Sequence, residues 1–302
     1  MSSSDNITRL AKRIRRSTEI PWATALRLAR SGDAFVKAPV PDTVDADQLR
    51  LEAMVTHTLA NAFQDRQLNG ALLGVVHADT EGDELLLRLE PGMATEALGE
   101  LLPRWDAHYR GLRGVPGLRP RADGDQVVLS SLLGGARITL ATADRSPFRT
   151  PRVLDGETPL WDRSPAVLVD PELAGARRWD SPPERDRSAR DLLLSRVLRR
   201  PALVNRAAAP HGIANCYTHG TTDLVISWCC GPALEELLAT LLAHGTAEGL
   251  PKAAAARYLP ASDTALLGGQ ALVLRRHRSC TVPTHSISPE ALDALTREDY
   301  AR

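Results

Sequence analysis

The chain of 302 residues is long enough to bury a substantial core, as one large domain or two of ordinary size. Thirty-seven basic residues balance thirty-seven acidic ones, so the whole molecule has no net field that would favour nucleic acid or membranes. Hydrophobic content of 43% with charged content of 25% is typical of a globular protein, and an aromatic content of 4% argues against recognition by base stacking.

Targeting signals and cysteine placement indicate the compartment. No apolar run reaches the length of a membrane span, and the N-terminal residues lack the pattern of a signal peptide. The four cysteines all lie in the second half, and we expect free thiols there rather than a disulfide framework. Basic residues are nearly all arginine, which favours a GC-rich bacterial genome. We therefore expect a bacterial cytoplasmic protein with no membrane association.

Residues 1–36 predict a basic helical hairpin. Apolar residues at helical spacing define one face of its first helix. The rest of that helix is crowded by five basic residues: Arg9, Lys12, Arg13, Arg15 and Arg16. Such a surface favours salt-sensitive binding to phosphates or to an acidic partner, while a merely solvated face is the alternative interpretation.

Residues 45–145 predict a first α+β unit. A long amphipathic helix covers 45–63, and strands at 72–77 and 84–89 flank a polar turn. A helix from 94 to about 109 and a Gly- and Pro-rich connection at 111–120 follow. Strands at 126–129 and 137–141 then flank the Gly134-Gly135 turn, which gives the order α-β-β-α-β-β.

Residues 146–183 predict a linker that contains proline and tryptophan and carries some order near 167–169 and 171–178. Residues 184–302 predict a second unit. Its elements are a helix at 184–200, strands at 213–218 and 224–228, a helix at 233–244, a strand after Gly269 and a capped C-terminal helix from Ser288.

The two units share a sequence pattern. Leu-Leu-Gly-Gly precedes a strand at Gly134-Gly135 and again at Gly268-Gly269. Upstream, each unit has an apolar strand, then a glycine (Gly92 or Gly231), then a helix with matched Ala, Glu and Leu positions. We interpret this recurrence as an internal duplication. The predicted fold class is thus α+β, with an N-terminal helical hairpin followed by two duplicated α-β-β-α-β-β units.

The second unit also concentrates cysteine and histidine. Cys229 and Cys230 end a strand just before a predicted helix, where a helix N-terminus lowers a thiol pKa, and His219 lies at the preceding turn. A small apolar residue closing a strand is the simpler interpretation. Zinc binding would need three or four convergent ligands. The first unit has Glu90 and Pro91 at the positions of the two thiols, so the shared fold does not require them.

No phosphate-binding loop, dinucleotide fingerprint or serine-nucleophile motif is present in the sequence. We therefore predict a non-enzymatic binding or adaptor protein without metal or cofactor, whose arginine-rich hairpin docks nucleic acid or an acidic protein. Two alternatives stay open. One is an enzyme with a site at Cys229, Cys230 and His219, and the other is a metal-stabilised structural protein.

Overall fold

The computed structural model describes residues 7–9, 11–12, 22–30, 40–64, 71–81, 84–163, 166–208, 214–219, 223–229, 231–250 and 256–277. Over these ranges the chain is a mixed α+β protein with eight α-helices and three β-sheets, which confirms the α+β part of the predicted fold class. Part of the predicted N-terminal hairpin is seen as helix α1 (Trp22–Arg30). Its turn and the predicted helix from Ser288 lie outside the described residues.

The elements follow one another in three groups. The first comprises α2 (Ala46–Phe63), β1 (Val75–Glu81), β2 (Glu84–Leu89), α3 (Ala94–Leu101), β3 (Arg104–Asp106), β4 (Gly111–Arg113), β5 (Leu118–Asp123), β6 (Gln126–Ser131) and β7 (Arg137–Thr142). The second comprises β8 (Glu157–Pro159), α4 (Leu160–Arg163) and α5 (Asp170–Trp179). The third comprises α6 (Glu184–Arg199), α7 (Pro201–Asn205), β9 (Ala214–His219), β10 (Asp223–Trp228), α8 (Leu234–Ala243), β11 (Arg257–Leu259), β12 (Thr264–Leu267) and β13 (Leu272–Arg276).

The two five-stranded sheets have the same strand order. The first runs β1-β2-β7-β6-β5 and the second runs β9-β10-β13-β12-β11. In each, the β2–β7 or β10–β13 pair is parallel and the other pairs are antiparallel. The parallel register also agrees, because Leu85 pairs with Ile138 and Leu224 pairs with Leu272. Ile138 and Leu272 are each the third residue after the second glycine of a Leu-Leu-Gly-Gly turn.

Helices α2 and α6 pack against each other between the two sheets. Helix α2 also contacts β9 of the second sheet, and α6 contacts β1 of the first, so each helix crosses to the other half. One continuous hydrophobic core contains buried residues of both sheets, including Leu87 of β2 and Ile226 of β10. The two sheets therefore share this core.

The α2–α6 interface also contains a buried ion pair. Arg199 donates from Nε to Oε2 of Glu52 at 2.6 Å and from Nη2 to Oε1 at 2.5 Å. The Glu52 carboxylate also accepts the Ser195 hydroxyl at 2.6 Å and the Gln48 side-chain amide at 2.8 Å. Since Glu52 is fully buried, these four donors replace the water that it would otherwise bind.

Several predicted boundaries are confirmed and others are wrong. Helix α2 begins where predicted, because Asp45 accepts hydrogen bonds from the backbone N–H groups of Asp47 and Gln48. The helix predicted at 94–109 ends at Leu101, since Pro103 forces the residue before it into extended backbone. The strand predicted at 72–77 instead covers Val75–Glu81, because Gly74 before it has a left-handed φ of 68°.

The predicted order α-β-β-α-β-β lacks one strand of each five-stranded sheet, and in the first half it also lacks β3 and β4 of the small sheet. Strands β5 and β11 are the fifth strands of the two large sheets, and each lies at a sheet edge. Pro120 lies within β5 and argued for a loop in the sequence. An edge strand tolerates proline because one side of the strand has no ladder partner that needs its N–H.

The predicted linker is largely structured. Strand β8 joins β3 and β4 in a small sheet of order β4-β3-β8, and α5 covers the region expected to carry order. Trp179 at the end of α5 is buried in the common core and Trp161 packs against it. Among the described helices, none is both long enough and apolar enough to cross a bilayer.

Candidate ligand-binding cleft

A cleft of about 540 Å³ opens between α2, the β3–β4 hairpin and α5. This volume lies in the range of pockets that hold small molecules or one to two side chains, roughly 300–1,000 Å³. Its apolar lining residues are Met54, Trp105, Leu112, Pro116, Pro171, Ala174 and Trp179. Its polar lining side chains are His57, Thr58, Arg110 and Arg178. Two helices and a β-hairpin thus enclose a mainly apolar space with cationic groups.

Helix α5 forms a wall that is fixed at both ends. At its first turn, the buried Glu172 carboxylate accepts two hydrogen bonds from Arg119, at 2.8 and 3.0 Å, and the Gly117 N–H at 3.0 Å. At its last turn, Arg50 of α2 donates to the Asp180 carboxylate at 2.7 Å. The wall is therefore preformed, so binding would not have to order it.

Trp179 is held between two neighbours on the inner side of the cleft. The guanidinium carbon of Arg190 lies 3.7 Å from the indole centroid, and the His57 ring meets the indole edge-to-face at 5.2 Å. Arg190 is itself oriented by hydrogen bonds to Asp191 at 2.8 Å and to the Trp179 carbonyl at 3.1 Å. The indole Nε1–H of Trp179 is buried and has no acceptor among the described residues.

Close packing of α5 on β4 depends on Gly175. A Cβ atom at this position would lie 2.6 Å from Cδ2 of Leu112, which is closer than real Cβ contacts. Glycine is unfavourable inside a helix by about 1 kcal/mol relative to alanine, so its presence here has a steric reason. Gly175 thus lets the tip of the Leu112 side chain lie directly against α5, and a side chain here would displace it.

The turn between β3 and β4 positions Arg110. The Asp106 carboxylate accepts the N–H groups of His108 at 2.9 Å and Tyr109 at 3.2 Å, and Arg113 Nε at 2.7 Å. Burial alone would raise the pKa of Asp106, but these hydrogen bonds outweigh it and lower the pKa below its ordinary value. Arg110 follows with a left-handed φ of 49°, a strained conformation for a residue other than glycine. The turn thus places an arginine at the mouth of the cleft.

The described charged side chains that line the cleft are all basic. Arg110 and Arg178 are exposed at its rim, and within the described part of the chain neither guanidinium has a hydrogen bond or ion pair. None of the described residues that line the cleft is acidic. An anionic group on an apolar body would therefore meet complementary charge and an apolar surface together.

The basic residues predicted for binding are only partly described. Arg9 and Lys12 are exposed on helical backbone, while Arg13, Arg15 and Arg16 lie outside the described residues. Neither Arg9 nor Lys12 is among the residues that line the cleft. Docking through the basic hairpin thus stays a prediction, separate from the cleft.

The fold does not bring the described members of the predicted cysteine–histidine group close together. His219 pairs with Asp223 at one end of the β9–β10 hairpin, whereas Cys229 follows Trp228 at the other end. At roughly 3.3 Å per residue, the two positions are about 20 Å apart. Cys229 is also buried, and Cys230 lies outside the described residues. The geometry therefore gives no support to His219 as a base for Cys229.

Burial also disfavours the thiolate form of the other described cysteine. Cys216 is buried in β9, and burial raises its pKa to about 12. Within the described ranges, no three His, Cys, Asp or Glu side chains converge as a metal site would require.

Sequence reasoning missed the cleft because its walls come from three separated segments. The sequence predicts α2 only as an amphipathic helix, without a role for Met54, His57 and Thr58, and it places Trp105 inside a helix that in fact ends before it. One usable signal was present. Gly175 interrupts a segment with helical character, which indicates close approach of another element.

A comparison of the chain with protein-family models, with curated proteins and with solved structures finds no match.

Proposed function

We propose that the protein is a non-enzymatic binding protein of the bacterial cytoplasm whose cleft takes an anionic group attached to an apolar body. The observation that carries this proposal is the pair of unpaired rim arginines, Arg110 and Arg178, above an apolar floor whose described residues include no carboxylate. The α5 wall is anchored at both ends before a ligand binds. Binding therefore costs little conformational entropy at this wall.

The asymmetry of the fold supports the same proposal. The two five-stranded sheets have equal topology, yet β3, β4, β8 and α5 have no counterpart among the described elements of the second half. The cleft is built against these additional elements. Functional sites are commonly formed by elements that are added to a common scaffold, and the additional strands and helix of the first half fit this pattern.

A matched pair of probes tests the proposal. Naphthalene-2-acetate carries a carboxylate on a planar apolar ring, and 2-(2-naphthyl)ethanol is its neutral counterpart. Calorimetric titration should show the acid binding more tightly than the alcohol. Arg110→Ala and Arg178→Ala should each weaken binding of the acid by about threefold to fivefold, because exposed charge pairs contribute up to about 1 kcal/mol.

Two controls make this experiment specific to the cleft. Arg121→Ala removes an exposed arginine from β5 that does not line the cleft, so it should leave affinity unchanged. Ala174→Glu places a carboxylate on the exposed rim and should weaken the acid more than Ala174→Gln does. Equal affinity of acid and alcohol, or indifference to both arginines, contradicts the proposal.

The basic hairpin belongs to the same proposal as a second docking element for nucleic acid or an acidic partner. Arg9 and Lys12 are exposed, as an electrostatic surface requires. Changing Arg13, Arg15 and Arg16 together to alanine should remove the salt dependence of binding to a duplex DNA oligonucleotide or to polyglutamate. Unchanged binding of both polyanions in the triple variant rejects this element.

We also infer that the two halves derive from one ancestral unit by duplication. The recurrence of the Leu-Leu-Gly-Gly turn supports this, and so does the equal register of the two parallel strand pairs that follow it. No specific observation favours the alternative of a cysteine enzyme, since Cys229 and His219 lie at opposite ends of their hairpin.

A further inference from the structure

A strip of exposed apolar side chains lies beside the cleft, at one end of the small sheet. Tyr109 is 77% exposed, Leu154 53% and Val153 37%. The register explains why they share this end. Asp106 pairs with Gly111 and with Glu157, so the turn that contains Tyr109 lies next to the segment that enters β8. The Ala107 N–H donates to the Gly156 carbonyl at 3.0 Å and joins the two segments.

The strip is continuous with the cleft through Arg110. Arg110 follows Tyr109 in the chain and lines the cleft mouth, so the apolar strip and the anion-binding rim meet at one turn. Of the charged groups around the strip, Arg152 beside Val153 and Asp155 are both exposed. Arg113 lies 4.8 Å from the Tyr109 ring centroid and is paired with Asp106, so Arg110 and Arg178 at the adjoining cleft mouth are the unpaired charges among the described residues.

The turn is held in place rather than loose. Asp106 fixes it by three hydrogen bonds. The Leu154 N–H donates to Glu157 Oε2 at 3.1 Å, and the Glu157 N–H donates back to the Leu154 carbonyl at 3.1 Å. A rigid, exposed apolar surface rimmed by polar groups marks an interaction site more often than an ordinary surface does.

We propose that the occupant of the cleft is an acidic segment of a partner protein that carries an aromatic or large aliphatic side chain. This rests on the proposed binding function and deepens it. The apolar side chain enters the cleft between Trp105 and α5. Neighbouring carboxylates meet Arg110 and Arg178, and the rest of the segment lies over Tyr109 and Leu154. A small free metabolite would fill the cleft and leave the strip exposed, whereas an extended peptide segment would cover both the cleft and the strip.

Selection of random peptides displayed on phage against the full chain tests this inference. The expected peptides combine Asp or Glu with Phe, Trp or Leu, and in synthetic form they displace naphthalene-2-acetate. Tyr109→Ala and Leu154→Ser should weaken the selected peptides by about fivefold or more. The same variants should leave naphthalene-2-acetate affinity unchanged, because neither residue lines the cleft.

The outcomes separate this inference from the proposed function. If naphthalene-2-acetate binds as expected but no selected peptide displaces it, or if Tyr109→Ala and Leu154→Ser have no effect on the peptides, the partner-segment inference is overturned and the cleft proposal stands. Failure of naphthalene-2-acetate itself overturns both. Concentration-dependent self-association that Leu154→Ser abolishes would assign the strip to a second copy of the chain and also overturn the inference.

Discussion

Arg199 of α6 and Glu52 of α2 form a bidentate ion pair, with donor–acceptor distances of 2.6 and 2.5 Å, in the buried interface between the two halves. Because both partners are buried, removal of one leaves an uncompensated charge away from water. The pair therefore couples the stability of the two halves, although replacing both charges together need not cost as much.

Glu52→Gln and Arg199→Met should each lower the free energy of unfolding by about 3–5 kcal/mol, since each leaves the other charge unpaired. The double variant should lose clearly less than the sum of the single losses. Urea unfolding followed by circular dichroism measures all four proteins. Additive losses would show that the pair is not coupled.

Gly175→Ala should narrow or displace the α5 wall. Alanine gains up to about 1 kcal/mol of helix propensity, but overpacking against Leu112 costs about 1–3 kcal/mol, so a net loss of stability is expected. Naphthalene-2-acetate affinity should fall as well. Gly92→Ala is the control, because a Cβ atom there has no neighbour within 4 Å. Unchanged affinity in Gly175→Ala would mean that Leu112 moves aside freely.

Acid should weaken the α5 anchor through Glu172. Burial alone would raise the Glu172 pKa, but hydrogen bonds from Arg119, Val169 N–H and Gly117 N–H outweigh it and lower the pKa below its ordinary value of 4.5. A lowered carboxyl pKa contributes stability above the unfolded-state value and loses it as pH falls through the folded-state value. Glu172→Gln should therefore be less stable at neutral pH and show a shallower loss of stability below about pH 4.5. Asp123→Asn, at an exposed position, should keep the wild-type profile in urea unfolding across this pH range.

Cys216 should resist thiol reagents in the folded protein. Burial raises its pKa to about 12, so almost no thiolate forms at pH 8. A raised thiol pKa stabilises the fold below the unfolded-state value of 9.0, and that stability is lost as pH rises from there towards 12. Iodoacetamide labelling with peptide mass spectrometry, in buffer and in guanidinium chloride, should label Cys216 only after unfolding. Rapid labelling of Cys216 or Cys229 in buffer would reopen the enzyme alternative.

Local signals in the sequence were sufficient for most elements of the scaffold. Asp45 caps α2, and the strands after the Leu-Leu-Gly-Gly turns follow their patterns. Strand β11 was missed because it has only three residues, Arg257–Leu259. A segment this short cannot show the alternation of apolar and polar residues that indicates a strand. The helix predicted through residue 109 is wrong beyond Leu101. The helical spacing of apolar residues continues past Pro103 in the sequence, but the helical backbone ends before this proline.

The cleft was beyond local signals for a physical reason. Arg119 and Glu172, or Arg50 and Asp180, are far apart in sequence, and their pairing depends on how the small sheet docks on α2. Periodicity describes which face of one element is buried, but not which distant element covers it. Arg110 adds a left-handed backbone that no residue preference predicts for arginine.

The crossing of α2 onto β9 and of α6 onto β1 means that neither half has a complete core without the other. A protease that cuts the connecting segment, for example trypsin at the exposed Arg149 or Arg152, would therefore yield two pieces that remain associated as a non-covalent pair. Fragment complementation should be possible for this chain, with the two pieces gaining structure only when mixed.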